Sequence, residues 1–163
     1  RACGAGAALV IVFATGSLEF TARYALAIGG IVIGNTMSSA TIGGRRLLEL
    51  ADELGFWLIV ECDYETHGFE HVGWRANPSD DPAWEAALVD RMARTVERDR
   101  NHPSVIMWSL GNEAGTGRNL AAMAAEARRR DPSRPIHYEG DWSSPDVDVY
   151  SRMYPHPDEV TLI

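Results

Sequence analysis

Length, composition and charge limit what this chain can be. Its 163 residues are 45% hydrophobic and 23% charged, which excludes a mainly disordered chain and suits one ordinary globular domain. The formal net charge of -8 excludes general nucleic-acid binding, because no basic surplus is present to neutralise phosphates. No stretch approaches the ~20 apolar residues of a membrane span, so no membrane partner is expected. Two cysteines, Cys3 and Cys62, are too few for a disulfide framework, and a cytoplasmic location is the default expectation.

Residues 1–44 differ in composition from the residues that follow. They contain only three charged residues but eight of the 15 glycines. No clean helical or strand period runs through this segment. We therefore treat residues 1–44 as a separate, low-charge, Gly/Ala-rich segment of irregular structure, and residues 45–163 as the folded domain.

Helices and strands alternate after Arg45. The first helix is predicted over RRLLELADELG, with Gly55 as its C-cap, and FWLIVE follows as a buried strand. A long, turn-rich loop then leads to a helix that Asp81 caps and Pro82 begins. The remaining predicted elements are the strand SVIMWSL, the helix GRNLAAMAAEARRRD with arginines in its last turn, and two short strands in RPIHYEG and VDVYSRMY.

This order predicts an α/β fold with a parallel sheet that helices cover on both faces, because continuous apolar strands are buried on both sides. Functional groups in such folds gather just beyond the C-terminal ends of the strands. Here those positions hold ECDYETHG, GNEAG, YEG and RMYP. Each strand therefore ends in polar residues, which is the main functional signal of the chain.

Glu113 stands directly after Asn112 at the end of an apolar strand. A carboxylate in such a place is costly unless it is paired or protonated. One interpretation is a general acid/base that faces a cleft, and the other is a carboxylate at the N-terminus of the next helix. The glycines that follow favour the first interpretation, because they leave room for a ligand to approach the backbone.

The segment ETHGFEH holds Glu65, His67, Glu70 and His71. Glu65 and His67 are two residues apart and would face the same way on an extended segment. A carboxylate and an imidazole on one side suit a divalent cation or a set of sugar-binding groups. The spacing matches no zinc signature, and an ordinary polar loop is the alternative that the residues alone favour.

Other polar and aromatic residues also stand at strand ends or in loops. Glu61 and Asp63 flank the end of the first strand and could hydrogen-bond to neighbouring strand ends, although a structural acid with an Arg partner is the preferred interpretation of Glu61. Tyr154 ends the last predicted strand, where a phenol could donate a proton or a hydrogen bond, or could simply pack. Trp74 or Trp142 would suit a sugar-stacking platform.

Four stretches of the sequence resemble the catalytic barrel of glycoside hydrolase family 2, and most closely that of the β-galactosidases. They are ERDRNHPSVIMWSLGNEAGTGRN, DPSRPIHYEG, DYETHGFEHVGW and RMYP, and the core of the first is highly specific. The resemblance runs from about Arg45 to Pro155. It implies a (β/α)8 TIM barrel, of which this chain covers roughly strands three to six.

The resemblance also implies roles for particular residues. Glu113 matches the acid/base of a retaining mechanism, and Asn112 matches the residue that hydrogen-bonds the sugar 2-hydroxyl. Glu65, His67 and Glu113 match the protein ligands of an active-site Mg²⁺, and Na⁺ is a second candidate cation. Tyr154 matches a tyrosine near the nucleophile. The interpretation of Glu65 and His67 as an ordinary polar loop is therefore reversed.

Three further residues are weighed against the same resemblance. Glu70 and His71 match no ligand and remain polar loop residues. Asp63 joins Asn112 as a candidate substrate-binding residue.

Two features depart from the family pattern. The family nucleophile is a glutamate on strand seven, and no second glutamate of this sequence matches it; Glu139 is assigned to strand five and is not given that role. Residues 1–44 do not match the family, and Ala40 stands where a histidine is expected.

The leading prediction is a piece of a retaining β-galactosidase for terminal β-D-galactosides, which carries the acid/base without the nucleophile and has little or no activity alone. One alternative is an inactive fragment that associates through uncovered barrel edges, with itself or with a complementary chain. Others are a family 2 glycosidase of the β-glucuronidase or β-mannosidase type and a metal-binding domain. The expected partner is a β-galactoside or a related sugar.

Overall fold

The computed structural model describes residues 14–15, 40–140, 143 and 145–156. The chain divides into two compact units, Arg1–Leu47 and Leu48–Ile163. In the first unit, residues 40–47 are helical. The predicted irregular structure of the N-terminal segment falls mostly outside the described residues, and so do Cys3 and Trp142.

The described elements alternate between helix and strand, as predicted. Helix α1 covers residues 40–54, and 3-10 helices lie at His67–Val72 and Pro82–Trp84. The elements that follow α1 are β1 (Leu58–Glu61), α2 (Glu85–Asp99), β2 (Val105–Asn112), α3 (Arg118–Arg130) and β3 (Ile136–Glu139). The strands form one parallel sheet in the order β1-β2-β3. The α/β fold with a parallel sheet is therefore confirmed.

The ends of α1 combine a confirmed and a corrected prediction. Gly55 has a φ of 75°, its N–H donates to the Ala51 carbonyl at 2.9 Å, and the next N–H donates to the same oxygen at 3.0 Å. This glycine C-cap is the predicted one. At the other end, the helix already includes residue 40, five residues before the predicted start. Gly43 and Gly44 are poor helix formers, so propensity alone placed the start after them.

The start of α2 also follows the predicted capping residues. Asp81 Oδ1 accepts a hydrogen bond from the Ala83 N–H at 2.9 Å, and Pro82 opens a short 3-10 turn. The α-helix proper begins at Glu85, since the first turn is wound more tightly than an α-helix.

One face of the sheet packs against the helices. The buried core on that face contains Trp108, Leu110, Ile136 and Tyr138 from the strands, together with Leu48, Leu88, Met92, Val96, Leu120 and Met123 from the helices. The other face carries the exposed Ile59 and Glu61. Described helices therefore cover one face of the sheet where two were predicted. The expected barrel implies this arrangement, because the inner face of a barrel sheet turns to the barrel interior.

A polar row crosses this second face. Glu61 pairs with Ser109, and Ser109 pairs with His137, in the strand register. Ser109 Oγ donates to Glu61 Oε2 at 2.9 Å and lies 2.9 Å from His137 Nδ1. Glu61 therefore has a hydroxyl partner, where an Arg partner was predicted.

The last predicted strand, VDVYSRMY, is reduced to a single parallel bridge between His137 and Val149. Asp148 explains the reduction. Its backbone N–H donates to the Ile136 carbonyl at 2.8 Å, and its Oδ2 accepts from the Ile136 N–H at 2.8 Å. A side chain thus occupies a backbone donor that a longer ladder would need.

No described helix is long and apolar enough to span a membrane.

Candidate active site

The candidate site lies beyond the C-terminal ends of the three parallel strands. The segment after β1 returns to the sheet at Glu65, which forms a parallel bridge with Asn112 at the end of β2. The Asn112 N–H donates to the Tyr64 carbonyl at 3.0 Å. This pairing brings ETHG and GNEAG side by side, so polar groups that are nearly 50 residues apart in sequence meet at one edge of the sheet.

The backbone at Glu113 has an uncommon conformation. Glu113 has a φ of 43°, in the left-handed region that few non-glycine residues adopt. Its N–H donates to the Glu139 carbonyl at 2.8 Å. Such strain persists only where the surrounding contacts hold it, and it is frequent at functional sites.

A buried polar network holds the turn that follows Glu113. The Ala114 carbonyl accepts from Asn77 Nδ2 at 2.7 Å and from Ser79 Oγ at 2.6 Å. Because the Ser79 hydroxyl hydrogen is used in this way, the Tyr64 hydroxyl is the donor in its 2.6 Å contact with Ser79 Oγ. Burial raises the pKa of Tyr64, which keeps this phenol a neutral donor.

The three predicted metal ligands come together. Glu65, His67 and Glu113 each offer one ligand atom, and these atoms lie within 4.8 Å of one another. His67 Nδ1 lies 2.9 Å from Glu113 Oε2. Two carboxylates and an imidazole are a donor set that divalent cations accept, so the residues fit such an ion.

His67 is held from two sides. Its Nε2 lies 2.7 Å from Glu70 Oε2, while its Nδ1 faces Glu113. The hydrogen bond with Glu70, followed by the charge of Glu113, raises the pKa of His67. Glu70 therefore orients the ring of His67, although sequence reasoning left it among the polar loop residues.

A cavity of about 200 Å³ opens beside Glu113. Its lining comprises His67, Glu70, Trp74, Glu113, Gly115, Glu139, Gly140, Met153 and Tyr154. Tyr154 is 91% exposed, which excludes the packing interpretation of this residue. The sequence suggested Trp74 as a sugar-stacking residue because it is aromatic, but it did not predict that Trp74 lines the same cavity as Glu113.

Glu139 is buried at the end of β3, and its carboxylate is already engaged. It accepts hydrogen bonds from the Ser151 hydroxyl and, at 3.2 Å, from the Met153 N–H. The segment that leads to Tyr154 is thus fixed by a strand-end glutamate. The position of YEG at a strand end had marked this glutamate as a candidate polar group. Its partners, Ser151 and Met153, could not be predicted from the sequence.

The two predicted substrate-binding residues are placed differently. Asn112 is partly buried, and its Nδ2 lies 3.4 Å from Glu113 Oε2. Asp63 is exposed on the loop after β1, and its backbone carbonyl accepts from Arg91 Nη1. Among the described residues, neither the cavity lining nor the cation cluster includes Asp63 or Asn112, but Asn112 is the neighbour of Glu113. His71, left as a loop residue, is also exposed and outside both groups.

Comparison with known proteins places this chain among the glycoside hydrolases. Residues 43–162 match the model of the glycosyl hydrolases family 2, TIM barrel domain, so the chain belongs to this family and the sheet is part of its barrel. Residues 2–54 also match the model of an uncharacterised protein family, UPF0014, and this match overlaps the first one over residues 43–54.

Curated relatives of the chain are β-galactosidases. It is 73% identical over 96 residues to one from Arthrobacter sp. (strain B7), and the aligned residues cover 59% of this chain and 10% of that protein. It is 38% identical over 158 residues to one from Kluyveromyces lactis, and this alignment covers 85% of this chain and 15% of that protein. The chain therefore spans roughly a tenth to a seventh of the length of these relatives.

Solved structures with a similar fold include β-glucuronidases. β-Glucuronidase 3 of Bacteroides uniformis superposes with a TM-score of 0.52 at 26% identity, over 65% of this chain and 14% of that chain. The β-glucuronidase of Parabacteroides merdae gives a TM-score of 0.52 at 24% identity, over 71% of this chain and 16% of that chain, and shows the shared fold alone.

Proposed function

We propose that this chain supplies the acid/base side of the active site of a retaining β-galactosidase that hydrolyses terminal β-D-galactosides. The observation that carries the proposal is the strained Glu113 at a strand end, beside both the cation cluster and a cavity. The 73% identity to a β-galactosidase supports galactosides as the substrate class.

In this proposal the Glu113 carboxyl protonates the glycosidic oxygen as the leaving group departs, and its carboxylate later accepts a proton from water. A second carboxylate about 5 Å away attacks the anomeric carbon in a retaining mechanism. Glu139 is not assigned that role, because the family resemblance places it on strand five of the barrel and the family nucleophile on strand seven. Asn112 would hold a sugar hydroxyl, and the exposed Tyr154 phenol would contact the same sugar. The nucleophile matches no residue of this sequence.

Glu65, His67 and Glu113 would hold a divalent cation, for which we propose Mg²⁺. Na⁺ is a second candidate cation. Two carboxylates that converge within 4.8 Å of an imidazole favour a positive ion between them. A bound cation supplies positive charge that counters the repulsion between the two carboxylates. Glu70 would keep the Nδ1 atom of His67 turned toward the cation by holding Nε2.

A chimera with the Arthrobacter β-galactosidase would test the role of Glu113. The stretch of this chain that is 73% identical would replace the corresponding residues of that enzyme. In the chimera, Glu113→Gln should lower kcat/KM for a poor leaving group, such as lactose, by about 10²- to 10⁴-fold. The loss should be much smaller for a 2,4-dinitrophenyl galactoside, because an acidic phenol leaves without protonation.

The control for this experiment is Glu97→Gln, which removes an exposed carboxylate whose partners are Arg100 and Arg130. It should leave both rates unchanged. Equal losses on the two substrates in Glu113→Gln would contradict the acid/base role.

The sugar class has a second candidate, because β-Glucuronidase 3 of Bacteroides uniformis shares the fold at 26% identity. The same chimera should hydrolyse an aryl β-galactoside in preference to an aryl β-glucuronide or β-mannoside. A preference for the glucuronide would replace the galactoside proposal. A cytoplasmic location stays a prediction.

We also propose that the 163-residue chain alone hydrolyses aryl β-galactosides little or not at all, since it supplies one of the two carboxyls.

The alternative role as an association fragment has support in Phe56, Trp57 and Ile59, which are 61%, 80% and 54% exposed next to and on β1. Size-exclusion chromatography across protein concentrations should then reveal self-association. Turnover that Glu113→Gln abolishes would contradict inactivity, and a concentration-independent monomer would contradict self-association.

A further inference from the structure

The hydroxyl of Tyr138, a residue of β3, makes two hydrogen bonds to the turn that carries Glu113. The residue is 2% exposed, and its ring belongs to the core on the helix-covered face of the sheet. Its hydroxyl accepts a hydrogen bond from the Ala114 N–H at 2.9 Å and donates one to the Gly115 carbonyl at 2.6 Å. One phenol oxygen thus satisfies a backbone donor and a backbone acceptor in the two residues directly after Glu113.

These two bonds act where the backbone is strained. Glu113 has a φ of 43°, and its own N–H donates to the carbonyl of Glu139, which directly follows Tyr138 in β3. The peptide groups before and after the Glu113 side chain are therefore both tied to β3. The Glu113 conformation, and with it the direction of its carboxylate, depends on the end of a neighbouring strand.

Gly140 provides independent support for a role of the hydroxyl. It has a φ of 140°, and a Cβ built on it would lie 2.7 Å from Tyr138 Oη. Only a residue without a side chain leaves the phenol oxygen room at this position. The sequence YEG therefore combines the phenol with the glycine that permits its placement.

We infer that Tyr138 is a positioning residue for Glu113: its hydroxyl, without contacting substrate, holds the turn that directs the Glu113 carboxylate toward Glu65 and His67. This inference rests on the proposed role of Glu113 as a cation ligand and proton donor. A purely structural hydroxyl would change the stability of the fold, but not the affinity of the folded protein for a cation.

The test is Tyr138→Phe, which keeps the ring and removes the oxygen. Mn²⁺ binding to the 163-residue chain would be followed by loss of the free-ion EPR signal, at a temperature where both proteins are folded. Tyr138→Phe should weaken Mn²⁺ binding by about 10- to 100-fold, as expected when support of a metal ligand is lost. Hydrogen exchange of the Ala114 amide should become faster in the same variant.

Thr95→Val is the matched control, because it also removes a nearly buried hydroxyl, one that donates to the Arg91 carbonyl within α2. It should leave Mn²⁺ affinity unchanged. Gly140→Ala is a second variant, which displaces the Tyr138 hydroxyl without removing it and should also weaken binding. If Tyr138→Phe prevents folding, Gly140→Ala carries the test.

The outcomes separate this inference from the proposed function. Unchanged Mn²⁺ affinity in Tyr138→Phe, or an equal loss in Thr95→Val, would overturn the positioning role. Absence of Mn²⁺ binding in the wild-type chain would count against the proposed cation site instead. In that case hydrogen exchange of the Glu113 amide decides, because that amide is held by the Glu139 carbonyl and not by Tyr138. Faster Glu113 exchange in Tyr138→Phe but not in Thr95→Val supports the positioning role, and unchanged exchange overturns it.

Discussion

At the scale of single residues, the glycines around Glu113 serve packing more than ligand access. The sequence suggested that they leave room for a ligand. Gly115 does line the cavity, but protein atoms occupy the space that a side chain on these glycines would need. A Cβ at Gly115 would lie 2.7 Å from the ring of Trp74, and one at Gly117 would overlap the Ser79 carbonyl group. Gly111 lies against the Tyr64 carbonyl in the same way. These contacts join residues more than 30 positions apart, so only the folded structure reveals them.

Gly111→Ala tests this use of glycine. The residue has a φ of 150°, and an added Cβ would overlap the Tyr64 carbonyl oxygen, which accepts the Asn112 N–H. The substitution should lower the free energy of unfolding by at least about 1–3 kcal/mol, the usual cost of such backbone strain before the overlap is counted. Urea unfolding followed by circular dichroism would measure the change.

Gly44→Ala is the control for that measurement. Gly44 lies in α1 with no atom within 4 Å of an added Cβ, so alanine should be neutral or stabilise the helix by about 0.5–1 kcal/mol. If Gly111→Ala were as well tolerated as this control, the close packing of β2 against Tyr64 would be wrong.

At the scale of elements, sequence reasoning succeeded where a local chemical signal marks an end. Gly55 and Asp81 fixed a helix end and a helix start, and the arginines marked the last turn of α3. It failed at VDVYSRMY, because the Asp148 carboxylate replaces a backbone acceptor of the Ile136 N–H, and alternation of residues does not reveal such a contact. The Glu65–His67–Glu113 cluster was identified through the family resemblance, since the residues alone favoured an ordinary loop.

Asp81→Ala tests the capping contribution at the start of α2. The aspartate accepts from the Ala83 N–H, and its loss leaves a first-turn donor without its side-chain partner. We expect a loss of ~1 kcal/mol in the free energy of unfolding, measured in urea. Asp90→Ala removes an exposed carboxylate that pairs with Arg94 inside the same helix, and it should cost less because solvent screens that pair. Equal losses in the two variants would contradict the capping role.

At the scale of the whole molecule, two carboxylates join helices to the chain around β2. Asp52 of α1 lies 2.6 Å from His102 Nδ1 and accepts from the Ser104 N–H at 2.9 Å. Asp131, after α3, accepts from Trp108 Nε1 at 3.0 Å and from Arg134. Hydrogen bonds with Ser104 and then His102 lower the pKa of Asp52 to about 2. Burial raises the pKa of Asp131, but hydrogen bonds from Ser133 and Arg134 outweigh it and lower the pKa to about 2.

These two lowered values predict how stability depends on pH. Both carboxyl groups have a pKa of 3.8 in the unfolded chain, so their contribution to the stability of the fold is fully present above about pH 4. It is lost as pH falls through about 4 to 2, because protonation removes the charge that the folded state favours. The urea midpoint of unfolding should therefore fall steeply over this interval, and Asp131→Asn should lower the midpoint at pH 7 while flattening its fall below pH 4. A midpoint of Asp131→Asn that declines with the wild-type slope would show that this carboxylate does not link protonation to unfolding. Asp52, Glu126 and Asp148, whose pKa values are also lowered, would then be the candidates.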